Sequence, residues 1–464
     1  MKKIISFTTT FVMILLLTFS LFSCGEEPVT EKKSAFINGE YIGSYDIVYS
    51  EENDYELRAA EYIQGKIKER TGVKVDLVKA SEDGGEGAAI LVGETARELS
   101  SALDAECAGL QFAISADGTE IALEGELFVI AAAAYYFIET YVTGKSFSAI
   151  VPEQTAVLEP IVKEAKNHIL LIGDGMGYVH TRLFDYLADT SEISDGEDTF
   201  FGYMLPSQGS CRTSSLSGVT DSAAAGTALA TGHKTYNEYI GLNKDGESVK
   251  SLTELAVELG KGAAVISTET QTGATPATFS SHVLDRGSSS EIRKQQTALI
   301  TEHGVIIDGN YSQYTSWIMK SIEGDVMEAI GKMESDPDGF FMMYEEAHID
   351  KACHSNDLER TYLSVIRFNQ IIARVMEYAF YNPETFVLIT ADHETGDLEP
   401  NASGELVYGS EEHTDKDVPV FAYGKGSELF NGKTVENVQI AMTFASFWGV
   451  SDFGDQSEFA PLGK

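Results

Sequence analysis

The chain has 464 residues, enough for a full core and for two domains, since single cores stop growing at about 250 to 300 residues. With 72 Asp+Glu against 33 Lys+Arg the formal charge is −39, which argues against nucleic acid or anionic membrane surfaces as partners and favours divalent cations. Its four cysteines, Cys24, Cys107, Cys211 and Cys353, are too few and too scattered for a disulfide framework, and their separation is not that of a zinc knuckle.

In chain order, the first segment reads MKKIISFTTTFVMILLLTFSLFSC, with two lysines, an apolar stretch centred on residues 11–17 and small residues near its end. That is the pattern of a secretory signal over 1–24. Leu21-Phe22-Ser23-Cys24 also resembles the lipobox of bacterial lipoproteins, which implies lipid on Cys24 and an extracytoplasmic chain tethered to the cell membrane without spanning it. Residues 25–35 read as a tether, and 36–145 as a compact α/β unit. The predicted strands there are 46–49, 73–78, 89–92, 110–115 and 120–124, and the helices 55–71 and 127–141. This unit has no histidine and no catalytic constellation. Through GLQFAIS, EIALEG and FVIAAAAYYFIETY it resembles the accessory α/β domain that precedes the barrel in some extracellular glycoside hydrolases, which implies support or partner binding.

After a linker at 146–160, apolar runs at 168–172, 263–267, 340–344, 385–390 and 418–423 alternate with helical patterns such as 252–259, 292–302 and 358–380. Alternation of this kind predicts, over 160–464, an α/β domain with a mainly parallel sheet flanked by helices on both faces. Ligands then bind beyond the carboxyl ends of the strands. Polar residues gather there: Asp174 between glycines, Glu345 with Asp350 and His354 spaced i,i+4, Asp392 and His393, and His413. Each alone has an ordinary explanation as a turn, cap or surface pair. Together they form the mixed N/O donor set that zinc takes, and two such ions about 4 Å apart clamp both oxygens of a phosphoryl transfer. The segment VTDSAAAGTALATG, 219–232, places Ser222 at the start of an Ala-rich helix, either as part of a cap or where N–H groups and the helix dipole favour an anion.

In their order and spacing, LLIGDGMG, VTDSAAAGTALATGHKT, ATPATFSSHVLDR, EEAHIDKACH, TADHETG and EEHT resemble the alkaline phosphatase family from about residue 167 to 424. The resemblance implies a phosphate monoester hydrolase acting through a phosphoserine on Ser222. One zinc would be held by Asp350, His354 and His413, and a second by Asp174, Asp392 and His393 with Ser222 beside it. A magnesium ion would use Asp174, Thr275 and Glu345. Arg286 would bind phosphate oxygens through its planar fork, with Lys351 nearby. Glu346 competes with Glu345, and the five-residue interval to Asp350 favours Glu345. His233 and His348 match no ligand and read as structural.

Some bacterial members of the family carry an aspartate two residues before the threonine, where this chain has Gly273, so the third metal site departs from that pattern. No long insertion that could build a dimer crown is evident, and a homodimer is left open. A sulfatase would need Cys/Ser-x-Pro-x-Arg, whereas Ser222 is followed by three alanines. The alternatives are a phosphodiesterase of the same superfamily and a non-catalytic cell-surface phosphate or metal trap.

Overall fold

The computed structural model describes residues 34–103, 107–187, 199–309 and 316–463, with side chains of the helix after 316 described from 322 onward. The proposed signal segment, Cys24 and nearly all of the tether lie outside these residues. The tether ends early, because Ala35 already belongs to a strand, Ala35–Ile37, that pairs with Phe147–Ala149. No helix among the described residues is long and apolar enough to cross a membrane.

The first sheet has six strands: β1 (Asp46–Tyr49), β2 (Asp76–Lys79), β3 (Ala89–Val92), β4 (Phe112–Asp117), β5 (Glu120–Glu124) and β6 (Ala156–Leu158). Their order is β2-β1-β3-β5-β4-β6. Helix α1 (Asp54–Thr71) starts at an Asn53/Glu56 capping box and stops where Gly72 takes φ +79°, a left-handed conformation that glycine adopts without steric cost. Helix α2 is Ile130–Tyr141. The expected linker is not free chain: β6 pairs antiparallel with β4, and Phe147–Ala149 pairs with Ala35–Ile37. Its alternating exposed and half-buried residues produce too little apolar signal to read as edge strands. Strand β2 likewise begins at Asp76, three residues later than expected.

The second sheet has eight strands: β7 (Asn167–Gly173), β8 (Ser207–Arg212), β9 (Gly262–Ser267), β10 (Ile306–Gly309), β11 (Phe340–Glu346), β12 (Thr385–Thr390), β13 (Val418–Tyr423) and β14 (Thr434–Glu436). The order is β10-β9-β11-β7-β12-β13-β8-β14, parallel except where β13 runs antiparallel to β12 and β8. Central β7 is fully buried over Ile169–Ile172, as expected of a parallel strand covered on both faces. The short, less apolar strands β8, β10 and β14 escape a reading based on apolar runs.

Besides the short helix Leu183–Leu187, the helices of this part are α3 (Ser222–Thr231), α4 (Leu252–Glu258), α5 (Ala274–Thr278), α6 (Ser289–His303), α7 (Ser316–Met333), α8 (His348–Cys353), α9 (Leu358–Tyr381) and α10 (Asn437–Phe447). Buried almost all round, α9 packs on both the second sheet and the first unit. Phe128 lies 5.0 Å from Phe201 and 6.0 Å from Phe380, Tyr62 stacks on Tyr381 at 4.2 Å, and Arg58 donates to Glu377 at 2.8 Å. One apolar cluster therefore runs through both sheets.

Candidate active site

The carboxyl edge of the second sheet collects the polar residues. Asp174 follows β7, where Gly175 (φ +76°) turns the chain, and Gly175 N–H donates to Asp392 Oδ1 at 3.2 Å. Asp392 and His393 follow β12 and are wholly buried. The next residues, Glu394–Thr395, pair antiparallel with His413–Thr414, which lays the His413 ring on His393 with centroids 3.7 Å apart. Helix α8 presents Asp350, and His354 caps its end, so the i,i+4 spacing does put both on one face.

The orientation of the histidines follows from their outer nitrogens. His413 Nδ1 donates to the Thr220 carbonyl at 2.9 Å, and His354 Nδ1 to the Glu411 carbonyl. Thr395 Oγ1 donates to Asp350 Oδ1 at 2.6 Å and so accepts from His393 Nδ1 at 3.2 Å. All three rings thus turn an Nε2 lone pair inward. His354 Nε2 and His413 Nε2 face each other at 3.2 Å, and they stand 3.3 and 3.5 Å from Asp350 Oδ1. His393 Nε2 lies 3.3 Å from Asp392 Oδ2 and 3.6 Å from Asp174 Oδ1. Lone pairs and carboxylates packed this way repel unless a cation lies among them.

Four wholly or nearly buried oxygens here have no hydrogen-bond partner among the described residues: Asp174 Oδ1, Asp392 Oδ2, Thr275 Oγ1 and Glu345 Oε1. Buried polar atoms are normally paired, so these are positioned as ligands. Burial, and then Asp392, pushes the Asp174 carboxyl well up, and burial followed by the charge of Glu269 lifts Glu345 to about 8. Burial works the same way on Asp350, but the imidazoles of His413, His393 and His354 and the Thr395 hydroxyl around it outweigh burial and hold its carboxyl down. The donor atoms of Asp350/His354/His413, and those of Asp174/Asp350/His393, lie close enough together to hold a divalent cation, and Asp350 reaches both groupings.

Ser222 is the first residue of α3, with Oγ 3.3 Å from His393 Nε2. Asp221, not Ser222, is the cap: its Oδ1 accepts from Ala224 N at 2.9 Å. Its Oδ2 accepts from Glu238 N at 3.0 Å and from Arg286 Nη1 at 3.2 Å, which anchors the arginine beside the serine. The small residues of α3 have a packing reason as well, because a β-carbon at Gly226 would meet Thr278 Oγ1 of α5 at 2.7 Å. Lys351, half exposed, donates to Glu269 Oε2 at 2.7 Å.

Glu346 is not at the site. Its buried carboxylate pairs with Arg367 (Nε to Oε2, 2.6 Å) and accepts from His348 N at 3.1 Å, so Glu345 is the acid left facing inward. His348 belongs to that buried ion cluster, and the charged neighbour of His233 is Asp455, which is not among the donors. The three described cysteines are free thiols. Sequence reasoning missed the second oxygen of Asp221, the Thr395 hydroxyl and Glu269. Only the capping position of Asp221 was detectable in advance.

An α/β fold with a mostly parallel sheet, and two sets of inward-facing carboxylates and imidazoles beside a serine at a helix start, define the class of metal-dependent phosphatases. The chain belongs to the alkaline phosphatase family, whose model matches residues 165–314 and 307–409. Alkaline phosphatase 3 of Bacillus subtilis is 29% identical over 336 residues, covering 61% of this chain and 71% of that protein. The alkaline phosphatase of the Antarctic bacterium TAB5 superposes with a TM-score of 0.55 at 26% identity, covering 63% of this chain and all of that one. A variant of the TAB5 enzyme with Mg bound in the M3 site has a TM-score of 0.53 at 25% identity over the same shares.

Proposed function

We propose that this alkaline phosphatase hydrolyses small phosphate monoesters through a phosphoserine on Ser222. The observation that carries the reading is Ser222 Oγ set 3.3 Å from His393 Nε2 at the start of a ten-residue helix, with Arg286 anchored alongside. Zinc held by Asp350, His354 and His413 and by Asp174, Asp392 and His393, with magnesium at Asp174, Thr275 and Glu345, would supply the Lewis acidity that ionises a hydroxyl and stabilises a leaving oxygen.

The chain's own residues do the rest. Free N–H groups at the start of α3 and the Arg286 fork bind the non-bridging oxygens and orient phosphorus toward Ser222 Oγ. Asp221 holds Arg286 in place without occupying its second nitrogen edge. Ser222 Oγ attacks phosphorus as its proton departs, the phosphorus–oxygen bond to the alcohol breaks, and the alcohol leaves with a proton. Water then attacks the phosphoserine in line, releasing inorganic phosphate and restoring the hydroxyl. The half-exposed Lys351 adds positive charge at the mouth. We place the enzyme outside the cytoplasmic membrane, tethered through Cys24.

The test is turnover of an aryl phosphate monoester against the corresponding diester, with Ser222→Ala in parallel. Monoester turnover abolished by Ser222→Ala, with zinc retained, supports the reading. Preferred diester cleavage would make the protein a phosphodiesterase. No turnover of either by the zinc-loaded protein would make it a binding protein.

A further inference from the structure

The strand β9 is followed by a loop in which Glu269 crosses over Gly273. A β-carbon at 273 would fall inside the Glu269 carboxylate, overlapping Oε1 and Cδ, with Cγ at 2.7 Å. The backbone at 273, with φ −61° and ψ 161°, is open to any residue. Glycine is needed there for the space above it, and that space is filled by one carboxylate.

Glu269 is also tied to the inner donors. Its main-chain N–H, a donor any side chain at 269 would leave in place, donates to Ser267 Oγ at 2.9 Å, and that hydroxyl donates in turn to Glu345 Oε2. Its Oε2 accepts from Lys351, the neighbour of Asp350 in α8. The other Glu345 oxygen, Oε1, and Thr275 Oγ1, two residues after Gly273, are wholly buried and unpaired among the described residues. The Glu269 carboxylate therefore pairs with the lysine attributed to the mouth while lying over Gly273, two residues before one of the two orphaned oxygens.

We propose that Glu269 is a positioning residue of the magnesium subsite: from its seat over Gly273 its carboxylate holds Lys351 off the subsite and adds negative charge beside it, and so sets the affinity of that subsite for a hard divalent cation. This rests on the reading of Asp174, Thr275 and Glu345 as that subsite. Magnesium prefers oxygen donors and keeps several waters, so a carboxylate just outside the ligands acts on it through field and water.

Two single changes perturb Glu269 in different ways. Glu269→Gln keeps its volume and removes its charge. Gly273→Ala keeps the charge and displaces the carboxylate, at little structural cost because the clashing atoms are the far end of a flexible side chain. The experiment is calorimetric titration of zinc-loaded protein with magnesium, for both variants and for Glu269→Ala with and without Gly273→Ala, with thermal melts confirming that each is folded. We expect magnesium affinity to fall by about 10-fold or more in each single variant, the size seen for outer-shell partners. Adding Gly273→Ala to Glu269→Ala should then change it less than about twofold, because the group it displaces is already gone.

The proposal is overturned if either single variant binds magnesium within twofold of the parent, or if Gly273→Ala retains its full effect when Glu269 is absent. Monoester turnover by the parent is measured separately. Its absence would overturn the phosphatase reading and leave the magnesium result standing, whereas normal turnover with unmoved magnesium affinity would overturn only the role of Glu269.

Discussion

Gly175 is the position where the two donor groups depend on one backbone atom, and Gly175→Ala is a sharp test of their geometry. At φ +76° an L side chain is strained by about 1 kcal/mol or more. The added carbon would also stand 2.9 Å from Asp350 Cα, 2.9 Å from Asp350 Cβ and 2.9 Å from Thr395 Oγ1, all below normal contact. Two of these atoms belong to ordered backbone or its first carbon and cannot swing away, so α8 must retreat by roughly half an ångström, at an overpacking cost of about 1–3 kcal/mol. The retreat stretches the 2.6 Å Thr395–Asp350 bond that sets the His393 tautomer, and it shifts the Gly175 N–H that orients Asp392. Together these predict a stability loss of about 2–4 kcal/mol in urea unfolding of the metal-free protein. Because misplacement by about 1 Å can cost 10²-fold in rate, we expect monoester kcat/KM to fall by about 10- to 100-fold with weaker zinc binding. A variant with parental stability and zinc affinity would refute the claim that this glycine carries the site.

Chelation of the purified protein should abolish monoester turnover, and zinc should restore it with magnesium adding further; turnover indifferent to chelator contradicts the metal assignment. Arg286→Ala should lower monoester kcat/KM by about 100-fold, from loss of two charged hydrogen bonds, and narrow the monoester-to-diester ratio; an unchanged ratio removes Arg286 from recognition. The buried His168 accepts at Nδ1 from the Trp448 indole N–H at 3.0 Å, and burial lowers its pKa to about 3. Its folded pKa lies below its unfolded one, so its contribution to stability is full above about pH 6.5 and is lost as pH falls toward 3. His168→Gln should therefore be destabilising at pH 8, with a gap from the parent that narrows by about 2–3 kcal/mol at pH 4.5 in urea titrations. A gap independent of pH would show that His168 is not held neutral.

Much of this protein is determined by the order of its residues alone. The runs at 168–172, 263–267, 340–344, 385–390 and 418–423 are apolar because both faces of those strands are covered, so periodicity located the central strands within a residue or two. The donors, too, follow local chain logic, since they fall just past strand ends where a parallel sheet opens its crevice. Edge strands such as Ala156–Leu158 carry little apolar signal, because their pairing depends on a partner more than 40 residues away. Only the folded chain decided that Glu346 turns to Arg367 while Glu345 faces the site, and that Asp221 spends its second oxygen on Arg286. The same holds for the Nδ1 partners that turn three imidazoles inward and for Glu269 crossing Gly273. Each is a contact between distant segments whose direction is set by packing. Residue type and spacing can name which groups are able to meet, but the direction of a side chain is a property of everything packed around it.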